Sequence, residues 1–297
     1  MVHSKYPGIQ QRTSVKFTTR KAEMKAEKLW SLLLHTIVII GTVIVLGPFV
    51  WMVSTSFKPP GQVISFPPTL IPRPPSLQHY KRIFTEMNFG LFFFNSIYIS
   101  IVTTVSSVLT SAFVGYVFAK FKFWGRNVLF FVILATLMIP FPLLMIPLFF
   151  MMTILHLNDT HLAIILPYIY RTFGIFLVRQ YAHTIPNEII DSARVDGASE
   201  FRIFTSIILP LFRPILSALT IFLFMMNWEN FVWPLIIIQD GSKYTLPLGL
   251  AMFSLQWFTQ YGPIMAGAVI TIIPILIIFL FMQKHFVKGV VLSGLKV

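Results

Sequence analysis

The amino-acid sequence predicts an all-α membrane protein: six transmembrane helices, a short polar helix between the fourth and fifth, and both termini in the cytoplasm. Three observations carry this. Hydrophobic residues make up 56% of the 297 and charged residues 11%, well under the roughly one quarter usual in globular domains. The apolar runs are continuous and about 20 residues or longer, enough for a helix to cross roughly 30 Å of hydrocarbon, and their lack of period-two alternation excludes a strand barrel. Lys and Arg also divide unevenly, because six alternating helices put seventeen on one side and five on the other. The cation-rich side is cytoplasmic. The formal net charge of +13 is therefore a topology signal and does not point to nucleic acid.

Residues 1–29 form a basic cytoplasmic arm carrying Lys5, Arg12, Lys16, Arg20, Lys21, Lys25 and Lys28. A second role for it is contact with anionic membrane lipid, at about 1 kcal/mol per cation near the surface. The first span, Trp30 to Met52, has no small-x-small cleavage pattern near its end, so it is expected to stay as a helix and not to be removed as a signal. Phe57 to Glu86 holds Pro59, Pro60, Pro67, Pro68, Pro72, Pro74 and Pro75, which predicts a stiff outer loop with neither regular helix nor central strand. Phe89 to Phe118 is the second span, where Asn95 and Ser96 suit interhelical hydrogen bonds. In the third, Val128 to Ile154, Pro140, Pro142 and Pro147 remove backbone donors and are expected to kink the helix. Leu162 to Val178, Pro214 to Ile238 and Pro263 to Met282 complete the six, and Lys284, Lys288 and Lys296 close the chain. No internal repeat is present, so 30–297 reads as one transmembrane domain.

Between the fourth and fifth spans lies a polar island, Ile185 to Pro210. Pro186 and Glu188 suit the first turn of a helix, Ile189, Ile190 and Ala193 fall on one side at helical spacing, and Gly197 supplies a C-terminal stop. Ser199 then opens a second helix as its N-cap, which runs to Pro210.

This island resembles the cytoplasmic signature loop of ABC-importer permease subunits, Glu-Ala-Ala, three residues, Gly, nine residues, then Ile-x-Leu-Pro. Asp191-Ser192-Ala193 stands at the first three positions, Gly197 at the glycine and Ile207 to Pro210 at the end. Asp keeps the carboxylate and Ser the small size where the residues depart from the pattern. The resemblance implies a coupling helix, in a loop of about 183–210, that seats on a separate ATP-hydrolysing subunit through Glu188, Asp191, Ser192, Ala193, Asp196, Gly197 and Ala198. It also implies the remaining partners: a second permease, two ATP-binding subunits that carry the ATP and Mg, and an extracytoplasmic sugar-binding protein. The setting would be a bacterial or archaeal inner membrane.

Three further segments select a carbohydrate-type subfamily, similar to the shorter permease of maltose-type transporters. Lys58 to Pro60, Phe66 to Leu70, Pro72 and Tyr80 resemble its Lys-Pro-Pro … Phe-Pro-Pro-x-Leu-x-Pro … Tyr pattern. Asn227-Trp-Glu-Asn-Phe-Val-Trp-Pro234 resembles Asn-Trp-x-x-Phe-x-Trp-Pro, and Lys243-Tyr-Thr-Leu-Pro-Leu-Gly249 resembles the Lys-Tyr-Thr-Leu-Pro-x-Gly that follows. The resemblance implies alternating access driven by ATP on the partner subunits.

Glu229 is the sole acid inside a predicted span. A charge there costs at least a few kcal/mol, so it is expected to face the bundle interior or a polar cavity. With Asn227, Trp228, Asn230 and Trp233 it offers hydrogen bonds and aromatic faces of the kind that hold a sugar. The competing reading is packing, in which these residues pair with another helix or the partner permease. Arg171, in the fourth span beside Tyr168 and Tyr170, is expected to snorkel or pair with a neighbouring helix, with a polar route as the alternative. Enzyme classes find no support: there is no phosphate loop, no Cys, and the seven His lack metal-ligand spacing, so no catalytic or metal residue is assigned. The rival transport class, an ion-coupled secondary transporter, would carry several membrane-embedded acids or inverted repeats.

Overall fold

The computed structural model describes residues 8–256 and 260–294, with side chains from 28 to 254 and 260 to 283. Every regular element among these residues is helical. The basic arm continues into the first span as one helix, α1 (Gly8–Ser56); most of its cationic side chains, and those of the tail, lie outside the described residues. Among the described residues five helices are long and apolar enough to cross a membrane: Lys28–Ser56, Phe89–Lys120, His161–His183, Arg213–Ile237 and Tyr261–Gln283. A bent pair, Arg126–Met138 and Phe141–Ile154, supplies a sixth if taken as one span.

The outer loop departs from expectation after its prolines. Gln78–Glu86 is a helix, α2, that buries His79 and Ile83; the residues that cannot be helical stop at Pro75, and nothing in 78–86 interrupts the backbone ladder. Next comes α3 (Phe89–Lys120). Along it Ser107, Ser111, Gly115 and Ala119 recur every fourth residue, which makes a groove of small side chains. Into it packs α7 (Thr172–His183), whose Gly174, Val178 and Ala182 have the same spacing and are buried. The approach is close: a Cβ on Gly115 would lie 2.8 Å from the Val178 Cβ, and one on Gly174 would strike Ser111. Small residues serve this purpose in membranes, where dispersion contact replaces the hydrophobic effect.

The third span is two helices and not one kinked helix. α4 (Arg126–Ala135) ends in a tight turn, Ile139 is extended, and α5 (Phe141–Ile154) leaves at 102°. Pro140 has no N–H to continue the ladder, whereas Pro142 sits in the first turn of α5 and Pro147 is absorbed within it. The fourth span also breaks. α6 (His161–Ile165) passes through a tight turn, Leu166–Tyr168, and Arg171 is extended before α7 begins. The break frees two carbonyls, and α3 caps both. Ser107 Oγ lies 2.5 Å from the Tyr168 carbonyl, and Thr110 Oγ1 donates to that of Ile169 at 2.8 Å. Without these hydroxyls, polar backbone would stand unpaired at membrane depth.

Beyond α7 come α8 (Asn187–Val195), α9 (Glu200–Ile203) and α10 (Leu209–Leu211), then α11 (Arg213–Trp228) and α12 (Val232–Ile237). A wide π turn, Phe204–Ile208, joins α9 to α10. It leads into Pro210, whose ring would clash with a regular turn, so the helix runs past the expected stop to Leu211. An element absent from the sequence reading, α13 (Leu246–Gln256), precedes the last helix, α14 (Tyr261–Gly294). At 11 residues α13 is too short to span. It is held by α3 instead: Asn95 Nδ2 donates to the carbonyls of Ser242 and Tyr244, and Ser96 Oγ accepts from Leu246 N.

Candidate functional site

The polar island folds as its residues predict. Pro186 caps α8, Asn187 and Glu188 begin it, and Gly197 ends it at φ +79°. The Gly197 and Ala198 N–H groups bond the carbonyls of Arg194 and Ala193 at 3.0 Å, the paired bonds of a left-handed glycine stop. Ser199 Oγ accepts from Arg202 N at 3.3 Å and starts α9. Ile190 and Ala193 are buried in a cluster with Tyr116, Val178, Ala182, Ile203 and Phe204. Ile189, expected on the same side, is 37% exposed; its neighbour Ile190 takes the inward position because the face in contact is one residue wide per turn.

One cation fixes the entry to α8. Lys120 Nζ, at the end of α3, donates to the Ile185 carbonyl at 2.5 Å and to Asn187 Oδ1 at 2.8 Å. Arg194 bridges Asp191 at 3.1 Å and Glu200 at 2.6 Å. The Glu200 hydrogen bond, foremost, holds its guanidinium above the ordinary arginine value. Of the predicted docking residues, Glu188, Asp191, Ser192, Asp196 and Gly197 are exposed, Ala198 is half-buried and Ala193 faces the chain's own core. They share one loop and one surface.

The second predicted group does not converge. The Asn227 to Pro234 segment is a break: α11 ends at Trp228 and α12 begins at Val232. Trp228 and Trp233 are 1% and 0% exposed and belong to different clusters. Their indole N–H groups bond the carbonyls of Thr271 at 3.1 Å and Ala163 at 2.9 Å. Glu229 is exposed on the surface of this chain, and its side chain has no partner among the described residues. It follows the last turn of α11, where the backbone has already left the buried face. Asn230 is half-buried. Asn227 is buried and donates from Nδ2 to Thr104 Oγ1 at 3.0 Å.

Asn227 also holds Arg171. The arginine Nη2 donates to Asn227 Oδ1 at 2.9 Å, and the guanidinium carbon lies 4.1 Å from the centre of the Tyr168 ring. Pairing with a neighbouring helix was the expectation, and α11 supplies it. Around Arg171 a cleft of about 350 Å³ opens, lined by Thr136, Tyr168, Tyr170, Thr172 and Phe222 among others.

A third cluster escaped the sequence reading. Asp159, in the α5–α6 loop at φ +58°, accepts the N–H groups of Gln239 and Asp240 at 2.9 and 3.0 Å and pairs with Lys243 at 2.7 Å. Desolvation alone would raise its carboxyl, but the Lys243 bond and the two backbone donors outweigh it and hold it lowered to about 2. The available signal was an acid in a short loop facing a lysine in the Lys243 to Gly249 segment.

A bundle of broken apolar helices with a polar helical loop between two spans defines a multi-pass membrane protein, and the comparisons give its family. Residues 107–292 match the binding-protein-dependent transport system inner membrane component, and the chain belongs to that family. It is 41% identical to the arabinooligosaccharides transport system permease protein AraQ of Halalkalibacterium halodurans, over 84% of this chain and 90% of that one. It is 37% identical to the lactose transport system permease protein LacG of Rhizobium radiobacter, over 82% and 88%. A bacterial ABC transporter involved in the import of the acidic polysaccharide alginate superposes with a TM-score of 0.77 at 23% identity, covering 88% of this chain and 98% of that one, and so shares the fold.

Proposed function

We propose that the chain is the permease subunit of an ATP-driven, binding-protein-dependent sugar importer, with α8 on the cytoplasmic side as the docking surface for an ATP-hydrolysing subunit. The observation that carries it is the build of α8. Its apolar side is spent on this chain's core, its entry is pinned by Lys120, and its acidic face is left open between two spans. Relatives described as permeases for arabinooligosaccharides and lactose support a di- or oligosaccharide as cargo. ATP and Mg belong to the partner ATPase, a second permease completes the pathway, and an extracytoplasmic binding protein delivers the sugar. In this reading both termini are cytoplasmic, residues 30–297 form one transmembrane domain, and α8 transmits ATPase closure to α3 and α7.

The test is Gly197→Arg in the purified transporter. A left-handed non-glycine residue costs about 1 kcal/mol, and nothing lies within 4 Å of a Cβ built there, so this chain itself has room for the side chain. The variant is expected to accumulate and melt nearly as the wild type does. Substrate-stimulated ATP hydrolysis and sugar uptake are expected to fall at least about tenfold, the loss of one interface contact worth roughly 1.4 kcal/mol or more. Wild-type stimulation and uptake would sink the docking assignment.

A further inference from the structure

Two helix breaks border one cleft, a third lies against its wall, and the cation inside has no counterion among the described residues. Residues 139–140 between α4 and α5, 169–171 before α7, and 229–231 after α11 all interrupt their helices near mid-span. The first two border the cleft directly, and in the third Asn230 hydrogen-bonds Tyr168 of the cleft wall. Arg171 is paired with a neutral amide and a tyrosine ring, and no carboxylate forms an ion pair with it among the described residues. Its Nε is closed to water and has no partner. A guanidinium facing lipid at that depth would be costly, so the cleft must open toward a polar space or another polar surface.

The walls narrow the choice. A residue of the partner permease needs room for one carboxylate, whereas about 350 Å³ lies within the range of small-molecule sites, roughly 300–1,000 Å³. Tyr168, Tyr170 and Phe222 present aromatic faces, and the Thr136 and Thr172 hydroxyls, 2.9 Å apart, present hydrogen-bonding groups. Arg171 adds planar donors that match the two oxygens of a carboxylate or phosphate. Resting on the reading of the chain as a sugar-importer permease, we propose that this cleft is where the chain contacts its cargo and that Arg171 receives an acidic group carried by the transported saccharide.

The experiment uses the assembled transporter in nanodiscs, with the other subunits free of cysteine; this chain has none. Tyr170→Cys, on the 55% exposed cleft wall, is labelled with an anionic and a cationic methanethiosulfonate of similar size. After correction for a free thiol in solution, the anionic reagent is expected to react about tenfold faster, a bias of roughly 1.4 kcal/mol, and Arg171→Gln should abolish the preference while Arg171→Lys keeps it. Equal rates in the Tyr170→Cys complex that retains Arg171 would mean that a partner carboxylate already neutralises Arg171, which overturns the proposal even if the Arg171→Gln complex cannot be made. Uptake of matched neutral and uronate oligosaccharides in proteoliposomes supplies the second arm. Arg171→Gln is expected to lower the uronate-to-neutral uptake ratio about tenfold, the worth of one charge-assisted hydrogen bond. Transport of neutral members alone would overturn the acidic-cargo assignment and leave the sugar reading standing; transport of none would remove both.

Discussion

At the end of the bundle that holds the proline-rich loop, Asp159 gathers two backbone N–H groups and Lys243 from a loop some 80 residues away, and Asn95 and Ser96 tie the same loop to α3. At the α8 end Lys120 of α3 holds the helix entry through the Ile185 carbonyl and Asn187, while Arg194 pairs with Asp191 and Glu200 of its own loop, with 40% of its side chain exposed. Exposed pairs of that kind contribute about 0–1 kcal/mol. One end is cross-linked through polar groups distant in sequence. The other rests on apolar packing, with the Lys120 tie at the helix entry and no ion pair to a distant element among the described residues, and the polar face of its helix is open. Under the docking proposal this asymmetry suits α8 as a lever, because long-range ion pairs on all sides would keep it from following its partner.

The largest loss of stability is expected where the packing beneath α8 is overfilled. Gly115→Leu places a side chain against Val178 and the backbone of Arg179, in the groove where α7 crosses α3. The expected cost is about 3 kcal/mol or more from overpacking, read as loss of the assembled transporter or a large fall in its melting temperature. Gly90→Leu is the control, since nothing lies within 4 Å of its Cβ. Equal melting temperatures for the two variants would break the account of the α3–α7 crossing.

A smaller effect sharpens the opposite end. Asp159→Asn removes charge-assisted bonds to two backbone donors and Lys243, with an expected cost of about 1–2 kcal/mol at neutral pH. The carboxyl sits at about 2 against an ordinary 3.8. A depressed acid stabilises the fold above its unfolded value, and that contribution fades as pH falls toward the folded one. The melting-temperature gap between wild type and Asp159→Asn is therefore expected to be full at pH 7 and to shrink between pH about 4 and 2. A gap that persists unchanged to the acid end would show that the carboxylate charge is not what holds the two loops.

Much of this was legible in the sequence, for identifiable reasons. The spans follow from apolar run length, and α8 with its Gly197 stop follows from short-range capping rules that tertiary contacts did not override. Pro140 announced a disruption in the third span. Its size, 102°, depended on Ile139 going extended, which no local rule fixes. The break at Arg171 was hidden because its stabilisers, Ser107 and Thr110, lie some 60 residues away on α3. The four-residue ladder Ser107, Ser111, Gly115, Ala119 was present in the sequence as the mark of that crossing. The Asn227 to Trp233 group looked like one polar surface because its residues are adjacent, yet a helix break sends Trp228, Glu229 and Trp233 in three directions. Adjacency in a broken helix says little about which side chains share a face.

Docking of the ATPase on the open face of α8 is open to site-specific cross-linking. Ser192→Cys and Asp196→Cys each place a thiol on an exposed α8-loop position of a chain with no native cysteine, and Ser242→Cys places one on the opposite end. With a short maleimide–succinimidyl ester, which joins the introduced thiol to a lysine amine of a neighbouring subunit, the two α8-loop variants in native membranes are expected to cross-link to the ATP-hydrolysing subunit and the Ser242 variant is not. Absence of that product from both α8-loop positions, in transporters that still take up sugar, would contradict the account.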